Sequence, residues 1–450
     1  MATATTSVLT LSTAVRSILL FFRAWYIVLV ALAAMGRYAG WRLKGRGGTA
    51  SERDELRGQA IAGALERLGA TFVKFGQILA TRPDLLPEGV IRGLARLQDR
   101  VPAAPFFQIA ATLDAELPGG RAGFADIDER PVAAASVAQV HRGLLADGTV
   151  VAIKVQRPEA AQQIEGDLLL LALGARVLDA LPGMTYMSIP GAADRFADAL
   201  RAQLDFRLEA DNNRRLAANF AHDPRVGVPR LIDGLCSERV LTMEFIDGVK
   251  PTDVTENRPE LAQAGFRCIA QMVFLDGFVH ADMHPGNLLF TADGRLVMID
   301  LGLMAEIPED MRKVWCDTFI AVALGDGARA AELFYGYAPR VDETDYDAFE
   351  ADICRHLDRL KGKPLHELEV TAAVGQAMAT LRRHHVQVDP VFTVVNLAML
   401  VAEGIGKQLD PHFDVFSCAM PFLAEASLRY PTGRLPNRPV PRLAESDALA

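Results

Sequence analysis

Apolar residues recur at helical spacing through the first part of the chain. Between Glu52 and Gln98 they lie three or four positions apart, as on one face of an α-helix, and Pro83 and Pro87 divide this stretch into at least two helices. The same spacing predicts another helix over Phe107–Leu117. The pattern therefore indicates a helical extension that precedes the first strand.

The spacing then shortens to the two-residue period of β-strands. Strands are predicted over Val132–Arg142 and Thr149–Val155, with a hairpin turn at Ala146–Gly148. Helical spacing returns over Glu159–Leu181 and Ala192–Phe220. We therefore expect a small β-rich lobe that carries a helical insert.

The rest of the chain is mainly helical in pattern. Arg239–Phe245 is predicted as one more strand, and helical spacing extends from Glu260 to about Leu423. A short β-hairpin interrupts it, formed by Leu288–Phe290 and Leu296–Ile299 around an Asp-Gly turn. The predicted fold class is α+β, in the order helical extension, small β-rich lobe and large helical lobe.

The N-terminal segment is apolar enough to associate with a membrane. Ile18–Met35 is apolar apart from Arg23, but the uninterrupted run Ala24–Gly36 is shorter than the ~20 residues of a typical spanning helix. The basic residues that follow suit a cytoplasmic anionic surface: Arg42, Lys44 and Arg46. We expect a cytoplasmic protein that is peripherally associated with a membrane. A single span and a helix packed on the protein itself remain alternatives.

Composition narrows the class of protein. Hydrophobic residues make up 50% of the chain and charged residues 23%, which permits a sizeable core. The net charge of −9 argues against general nucleic-acid binding, which needs a basic surface. The five cysteines are odd in number and far apart in sequence, which favours a reducing compartment. We expect a globular intracellular protein.

The strongest chemical signal is His-Ala-Asp-Met-His-Pro-Gly-Asn at 280–287, followed by Asp-Leu-Gly at 300–302. In kinases, an Asp-x-x-x-x-Asn loop, a hairpin and an Asp-x-Gly segment supply a catalytic aspartate and two oxygen ligands for magnesium. These positions predict Asp282 as the catalytic residue and Asn287 and Asp300 as the metal ligands. Two alternatives stay open here: a metal-hydrolase loop that uses the two histidines of the motif, and a structural loop.

A second part of the kinase template is Val-Ala-Ile-Lys at 151–154. In kinases its lysine brings an ammonium group to the nucleotide phosphates, although a lone lysine at a strand end is usually a solvated residue. Upstream, where kinases carry a glycine-rich flap, the chain has small residues that include alanine β-carbons, which keep a backbone farther from phosphates than glycine does. These candidate nucleotide contacts are Ala133, Ala134, Ala135 and Ser136.

Four motifs in this order resemble the UbiB family of atypical kinase-like proteins, the aarF-domain or coenzyme Q accessory kinases. They are Lys-x-Gly-Gln at 74–77, the alanine-rich loop with its continuation at 133–141, the His-x-Asp-x-His-Pro-Gly-Asn motif and the Asp-Leu-Gly motif. The resemblance implies a bilobal protein-kinase-like fold with an N-terminal helical cap. It also implies ATP or ADP and Mg²⁺ as cofactors.

The resemblance assigns further residues to the nucleotide site. Glu209 lies where the family has the glutamate that pairs with the lysine, here Lys154. The family's Glu-x-Asp just upstream begins with Gln203 in this chain, which removes one negative charge. The kinase template also places Met243 and Glu244 at the strand that joins the lobes, where backbone groups reach adenine. Core packing of the Met243 side chain is an equal alternative.

The Lys-x-Gly-Gln motif bears on the substrate. Lys74 and Gln77 lie three positions apart, on one predicted helix face. The resemblance implies that this helix lies over the nucleotide cleft, where it blocks the site of a protein substrate. The alternative is a polar stripe on a helix of a bundle. The short chain between Gly302 and Met311 leaves no room for a long activation segment, which independently argues against phosphorylation of proteins.

The predicted organisation has five parts: an apolar, membrane-associated segment (1–45), a helical Lys-x-Gly-Gln extension (46–130), a kinase-like N-lobe with a helical insert (131–248), a kinase-like C-lobe (249–430) and a polar, proline-rich tail (431–450). The predicted activity is that of an atypical kinase or Mg²⁺-dependent ATPase. Its acceptor would be water, a small molecule or a lipid, and its role would be to support ubiquinone or isoprenoid-lipid metabolism.

The expected partners are nucleotide, membrane lipid or isoprenoid quinone intermediates, and lipid-biosynthesis enzymes, but no nucleic acid. The principal alternative is a non-catalytic, nucleotide-gated scaffold for lipid or protein partners. A kinase of the aminoglycoside type would share the catalytic loop but gives no reason for the Lys-x-Gly-Gln motif.

Overall fold

The computed structural model describes residues 2–46, 48–80, 86–94, 96–97, 102–135, 137–180, 189–254, 258–341, 345–359, 370–388, 390–430 and 437. Ser136, one of the predicted nucleotide contacts, lies outside them. The chain divides into two compact units. The first contains Met1–Ala210 and Arg230–Phe245, and the second contains Asp211–Pro229 and Ile246–Ala450.

The helices and strands follow the α+β order that the sequence predicts. The helices are α1 (Ala2–Leu43), α2 (Ala50–Leu68), α3 (Ala70–Ala80), α4 (Glu88–Leu94), α5 (Phe106–Glu116), α6 (Ala160–Asp179), α7 (Ile189–Ala202), α8 (Phe206–Asn219), α9 (Pro259–Ala270), α10 (Glu309–Leu324), α11 (Gly327–Gly336), α12 (Tyr346–Asp358), α13 (Val370–Arg383), α14 (Pro390–Leu409) and α15 (Val415–Arg429). The strands are β1 (Asp126–Ile127), β2 (Ala133–Ala134), β3 (Ala138–Leu144), β4 (Val150–Gln156), β5 (Val226–Gly227), β6 (Val240–Glu244), β7 (Gly248–Val249), β8 (Phe278–His280), β9 (Leu288–Thr291), β10 (Leu296–Met298) and β11 (Met304–Glu306).

In the first unit, α1 to α4 form a helical layer with its own apolar core. α2 begins with a capping box, in which Thr49 accepts a hydrogen bond from the Glu52 backbone and Glu52 accepts one from the Thr49 backbone. It ends at Gly69, whose positive φ of 95° is easily adopted by glycine. Within α1, Ile18–Leu43 is long and apolar enough to cross a membrane, judged by length and composition alone.

The backbones of α2 and α4 touch at glycines. A β-carbon on Gly93 would lie 2.5 Å from the backbone carbonyl carbon of Gly58. Gly93→Ala should therefore destabilise the protein by ~1–3 kcal/mol, the usual cost of an overpacked contact. Gly174→Ala in α6 is the matched control, because nothing lies within 4 Å of its added β-carbon, and it should be neutral or stabilising by up to ~1 kcal/mol. Denaturant unfolding measures both, and equal stability of the two variants would contradict the close approach.

The sheet of the first unit is antiparallel, in the order β1-β3-β4-β6, with β2 paired to β3. Strand β4 places alternate side chains on opposite faces, as the pleat requires. Val151, Ile153 and Val155 pack with Ile109 and Leu113 of α5. The intervening positions therefore face the other side, where α6, α7 and the start of α8 contribute to a second core.

The second unit buries one large apolar core among α9 to α15 and its strands. Its four-stranded sheet has the order β5-β10-β9-β7, and a separate pair joins β8 to β11. The predicted hairpin is confirmed as β9 and β10, with Leu288 opposite Met298 and the turn at Gly294 in the left-handed region, φ 81°. A six-residue π-helix, Gln271–Asp276, directly precedes β8.

Three predicted elements differ from the structure. The strand expected over Val132–Arg142 is two strands, β2 and β3, and the helix expected over Ala192–Phe220 is two helices, α7 and α8. The break between the helices has a local cause, since the Asp205 carboxylate accepts a hydrogen bond from the Arg207 backbone and so starts a new helix. The helical pattern after Glu260 also contains β8 and β11, which the sequence analysis did not anticipate.

Candidate active site

Lys154 and Glu209 form a buried ion pair in the first unit. The pleat of β4 directs Lys154 to the face covered by α8, and its Nζ lies 2.8 Å from both carboxylate oxygens of Glu209. The side chains are only 13% and 5% exposed. Glu209 lies in the first turn of α8, where the helix dipole favours a negative charge. The structure therefore brings together the two residues that the sequence analysis paired across 55 positions.

Removing the lysine should cost stability. Lys154→Met removes the ammonium group that contacts both buried carboxylate oxygens of Glu209, and breaking a buried pair in this way costs roughly 3–5 kcal/mol. The double variant Lys154→Met, Glu209→Met should recover most of this loss, because two apolar side chains replace the pair. Denaturant unfolding of both variants checks the prediction. Single and double variants of equal stability would show that the pair contributes little.

In the second unit, His280 joins the catalytic-loop motif to the Asp-Leu-Gly motif. Its Nδ1 accepts a hydrogen bond from the Asp282 backbone N–H at 3.1 Å, so its Nε2 carries the proton that is donated to the Asp300 carbonyl at 2.6 Å. Burial of the ring lowers the pKa of His280 and thereby favours this neutral form. The negative charge of Asp300 acts in the opposite direction and raises the pKa, but burial is the larger effect. His280 is therefore a positioning residue with both ring nitrogens in use.

Asn287 is oriented by the same loop. Its Nδ2 donates to the Asp282 carbonyl at 3.2 Å, which leaves the amide oxygen Oδ1 as the atom available for a ligand. The backbone carbonyl of Asn287 accepts a hydrogen bond from the Ile299 N–H at 3.0 Å. This bond lies at the base of the β9–β10 hairpin, which returns the chain so that Asp300 follows directly.

Asp300 is held by a tight local turn. Its Oδ1 accepts a hydrogen bond from the Gly302 backbone N–H at 3.1 Å, which fixes the carboxylate against the Asp-Leu-Gly segment. The Leu301 carbonyl accepts a second bond, at 2.9 Å, from the side chain of Asn212. The sequence analysis missed Asn212, because nothing in its local sequence distinguishes it from another polar residue of α8.

The donor set suits magnesium better than a hydrolytic zinc ion. The amide oxygen of Asn287 and the carboxylate of Asp300 are hard oxygen ligands of the kind Mg²⁺ prefers. Both nitrogens of His280 are engaged, and Nδ1 of His284 accepts a hydrogen bond from the Gly286 N–H. Across the described residues, no group of three or more His, Cys, Asp or Glu side chains could hold a metal ion. Both nitrogens of His280 and Nδ1 of His284 therefore already have hydrogen-bond partners, which weighs against the metal-hydrolase alternative.

The described part of the alanine-rich flap lies at the edge of the sheet of the first unit. Ala133 and Ala134 form β2, which pairs with Val140 and Gln139 of β3. The Ala135 N–H donates to the Ala138 carbonyl at 2.8 Å. Their role in nucleotide binding remains a prediction.

The remaining candidates are spread over the first unit. Lys74 and Gln77 lie on α3, where Gln77 Nε2 donates to the Leu97 carbonyl at 3.4 Å. The Met243 side chain is buried in the core beside the sheet. Both the N–H and the carboxylate of Glu244 bond the backbone of Arg230. The Met243 side chain thus packs in the core, and the adenine contacts assigned to both residues remain predictions.

Comparison with known proteins finds matching family models and similar proteins. A family model described as the ABC1 atypical kinase-like domain matches residues 96–334, and the UbiB helical domain model matches residues 353–414. Proteins named "Probable protein kinase UbiB" from Shewanella halifaxensis and Shewanella loihica are each 32% identical to this chain. The alignments cover 83% of this chain in both cases, and 70% and 71% of those proteins.

One solved structure, the complex of Rv3197 with erythromycin from Mycobacterium tuberculosis, matches with a TM-score of 0.49 and 24% identity, covering 75% of this chain and 92% of that one.

The two family models place the fold among the atypical kinase-like proteins. The chain belongs to the UbiB family. This membership confirms the predicted kinase-like fold class and implies a role in ubiquinone biosynthesis.

Proposed function

We propose that the protein binds ATP or ADP with Mg²⁺ and transfers the terminal phosphoryl group to water or to a small or lipid acceptor in ubiquinone metabolism. The observation that carries this proposal is the buried Lys154–Glu209 pair, with both carboxylate oxygens 2.8 Å from Nζ. Holding a lysine ammonium in one orientation at this depth has a clear use in kinases, where it neutralises phosphate charge.

Each candidate residue has its own role in the proposed phosphoryl transfer. Lys154, oriented by Glu209, would contact the α and β phosphates, while Asn287 Oδ1 and the Asp300 carboxylate would hold the metal ion. When bound, Mg²⁺ neutralises charge on the phosphate oxygens. Asp282 would orient the attacking hydroxyl or water and accept its proton. That both groups of residues serve one nucleotide is part of the proposal.

A small acceptor is favoured over a protein. In the second unit, strand β11 begins four residues after Asp300 and pairs with β8. The Ile307 N–H then donates to the Gly277 carbonyl. Helix α10 then begins at Glu309. Protein kinases use a long segment in this place to hold the peptide substrate. We further propose that Lys74 and Gln77 of α3 restrict access to the nucleotide.

The second candidate function is a nucleotide-gated scaffold without turnover. The flap favours it, because the β-carbons of Ala133, Ala134 and Ala135 limit how closely its backbone approaches phosphates. In this case nucleotide binding would switch contacts with lipid or with enzymes of lipid biosynthesis. For both functions we propose a location in the cytoplasm at a membrane surface.

Phosphate release tests the proposal. The purified protein should hydrolyse ATP in the presence of Mg²⁺ and lipid vesicles, and chelation of Mg²⁺ should stop it. Mg²⁺-dependent nucleotide binding without phosphate release or transfer would support the scaffold. Absence of any Mg²⁺-dependent nucleotide binding would contradict both functions.

A further inference from the structure

Helix α1 is fastened along α2 by one of its faces. The Tyr26 hydroxyl donates to the Arg67 carbonyl at 3.1 Å, and Arg37 Nη2 donates to the Ala60 carbonyl at 2.7 Å. Between these points, Val30 is buried in the core that α1 shares with α2, α3 and α4. The contacts lie four and seven residues apart, the spacing of one helix face.

A partly buried ion pair joins the same helix to α6. Arg23 is the only charged residue within Ile18–Met35. Its Nε and Nη2 lie 2.8 and 2.9 Å from the two carboxylate oxygens of Asp167. The Asp167 side chain is only 3% exposed. Arg23 Nη2 also donates to the Leu68 carbonyl at 2.5 Å. The arginine therefore binds α1 to the body of the unit rather than to solvent.

The opposite face of α1 is apolar and exposed, and α6, which contacts α1, carries exposed apolar side chains of its own. A β-carbon on Gly166 of α6 would lie 3.5 Å from Leu20 Cδ2, so the two helices are in contact there. The exposed apolar side chains that lie away from this packed face of α1, together with those of α6, are here called the α1–α6 face: Ile18, Phe21, Phe22, Trp25, Val28, Leu29, Leu32, Met35 and Leu43, with Leu169, Leu173 and Val177. Apolar surfaces of this extent mark contact sites for proteins or membranes.

We propose that the α1–α6 face lies on an anionic lipid bilayer and that Ile18–Leu43 runs along the membrane surface without crossing it. This inference deepens the proposed function by giving it a membrane-facing surface. The flanking charges identify the occupant, because exposed Arg42, Lys44 and Arg46 follow the apolar stretch and Arg176 lies beside Val177. Basic residues next to an apolar face favour anionic headgroups.

The contacts with α2 argue against a span. The fastened stretch from Arg23 to Arg37 is about 21 Å long at 1.5 Å per residue, a large part of a hydrocarbon core of ~30 Å. If this stretch crossed the bilayer, α2 would enter with it, including the exposed charges of Arg57, Glu66 and Arg67. Charged side chains in hydrocarbon are costly, whereas a surface orientation leaves α2 in water.

Flotation with phosphatidylcholine vesicles, with and without phosphatidylglycerol, tests the surface. Leu173→Asp, Val177→Asp changes two exposed positions of α6 and should weaken binding to anionic vesicles by at least about tenfold, since charges replace apolar contacts. The matched control is Leu324→Asp, Leu428→Asp in the second unit, where both leucines are also exposed, and its binding should not change. Equal binding of the α6 variant and wild type would overturn the proposal, as would equal weakening by the control.

Orientation is tested by Leu32→Trp, at an exposed position in the middle of the segment. Its added fluorescence should be quenched most by lipids brominated near the headgroup, and strongest quenching by lipids brominated at the chain ends would indicate a span and overturn the proposal. Light scattering tests whether a second copy of the chain covers the face instead of lipid. A dimer that the α6 variant dissociates, without loss of vesicle binding, would assign the face to a second copy. Vesicle binding is measured without nucleotide. Loss of vesicle binding can therefore be distinguished from loss of nucleotide binding, and each proposal can fail separately.

Discussion

Asp300→Asn should abolish the Mg²⁺-dependent part of nucleotide binding. The substitution removes a negative charge that we assign to the metal, and a loss of about a hundredfold or more in affinity corresponds to roughly 3 kcal/mol. The fold should survive, because an asparagine Oδ1 can still accept the hydrogen bond from the Gly302 N–H. Isothermal titration with ATP, with and without Mg²⁺, measures the effect.

Asp293→Asn is the matched control for this experiment. Asp293 lies at the turn of the same β9–β10 hairpin, its side chain is 61% exposed and it pairs with Arg295. The charge change is identical, but the site assignment gives it no part in binding, so its affinity for Mg²⁺-ATP should match wild type. Undiminished Mg²⁺-dependent binding by Asp300→Asn would refute the metal assignment.

Asp282→Ala should stop phosphoryl transfer while binding is retained. Loss of a positioned general base costs about 10²–10⁴-fold in rate. The loop should keep its shape, because the Asp282 backbone makes the bonds to His280 and Asn287 and alanine preserves that backbone. The measurements are lipid-stimulated phosphate release and nucleotide titration on the same preparation.

The outcome of Asp282→Ala also separates the two candidate functions. Turnover in the wild type that falls in the variant, with unchanged affinity, supports an enzyme. Full turnover in the variant would contradict the role given to Asp282. If neither protein turns over ATP under any lipid condition while both bind it, the scaffold becomes the better description.

Much of the local geometry around the candidate site residues could be predicted from the sequence, because it depends on neighbouring residues in the chain. The β3–β4 hairpin is set by alternating apolar residues and by a turn at Gly148, where φ is 85°. The same alternation determines which face Lys154 occupies. In the second unit, the spacing between Asn287 and Asp300 fits one β-hairpin, and the structure contains that hairpin.

Contacts between distant parts of the chain could not be predicted in this way. The pairing of β5 with β10 joins two-residue segments about 70 positions apart, and Arg23 meets Asp167 across 144 positions. Short strands and single ion pairs leave no periodic pattern in the sequence. The break before α8 did have a local signal, an aspartate at a helix start, but the apolar spacing across it continued and predicted one helix.

In the proposed function, Lys154 and Asp300 act on the same bound nucleotide. An acyl-phosphate derivative of ATP transfers its acyl group to a lysine amine near the phosphates, and peptide mass spectrometry identifies which lysine was modified. We expect Mg²⁺-dependent modification of Lys154, blocked by excess ATP and lost in Asp300→Asn. Modification that spares Lys154, or that persists unchanged at Lys154 in Asp300→Asn, would contradict the account.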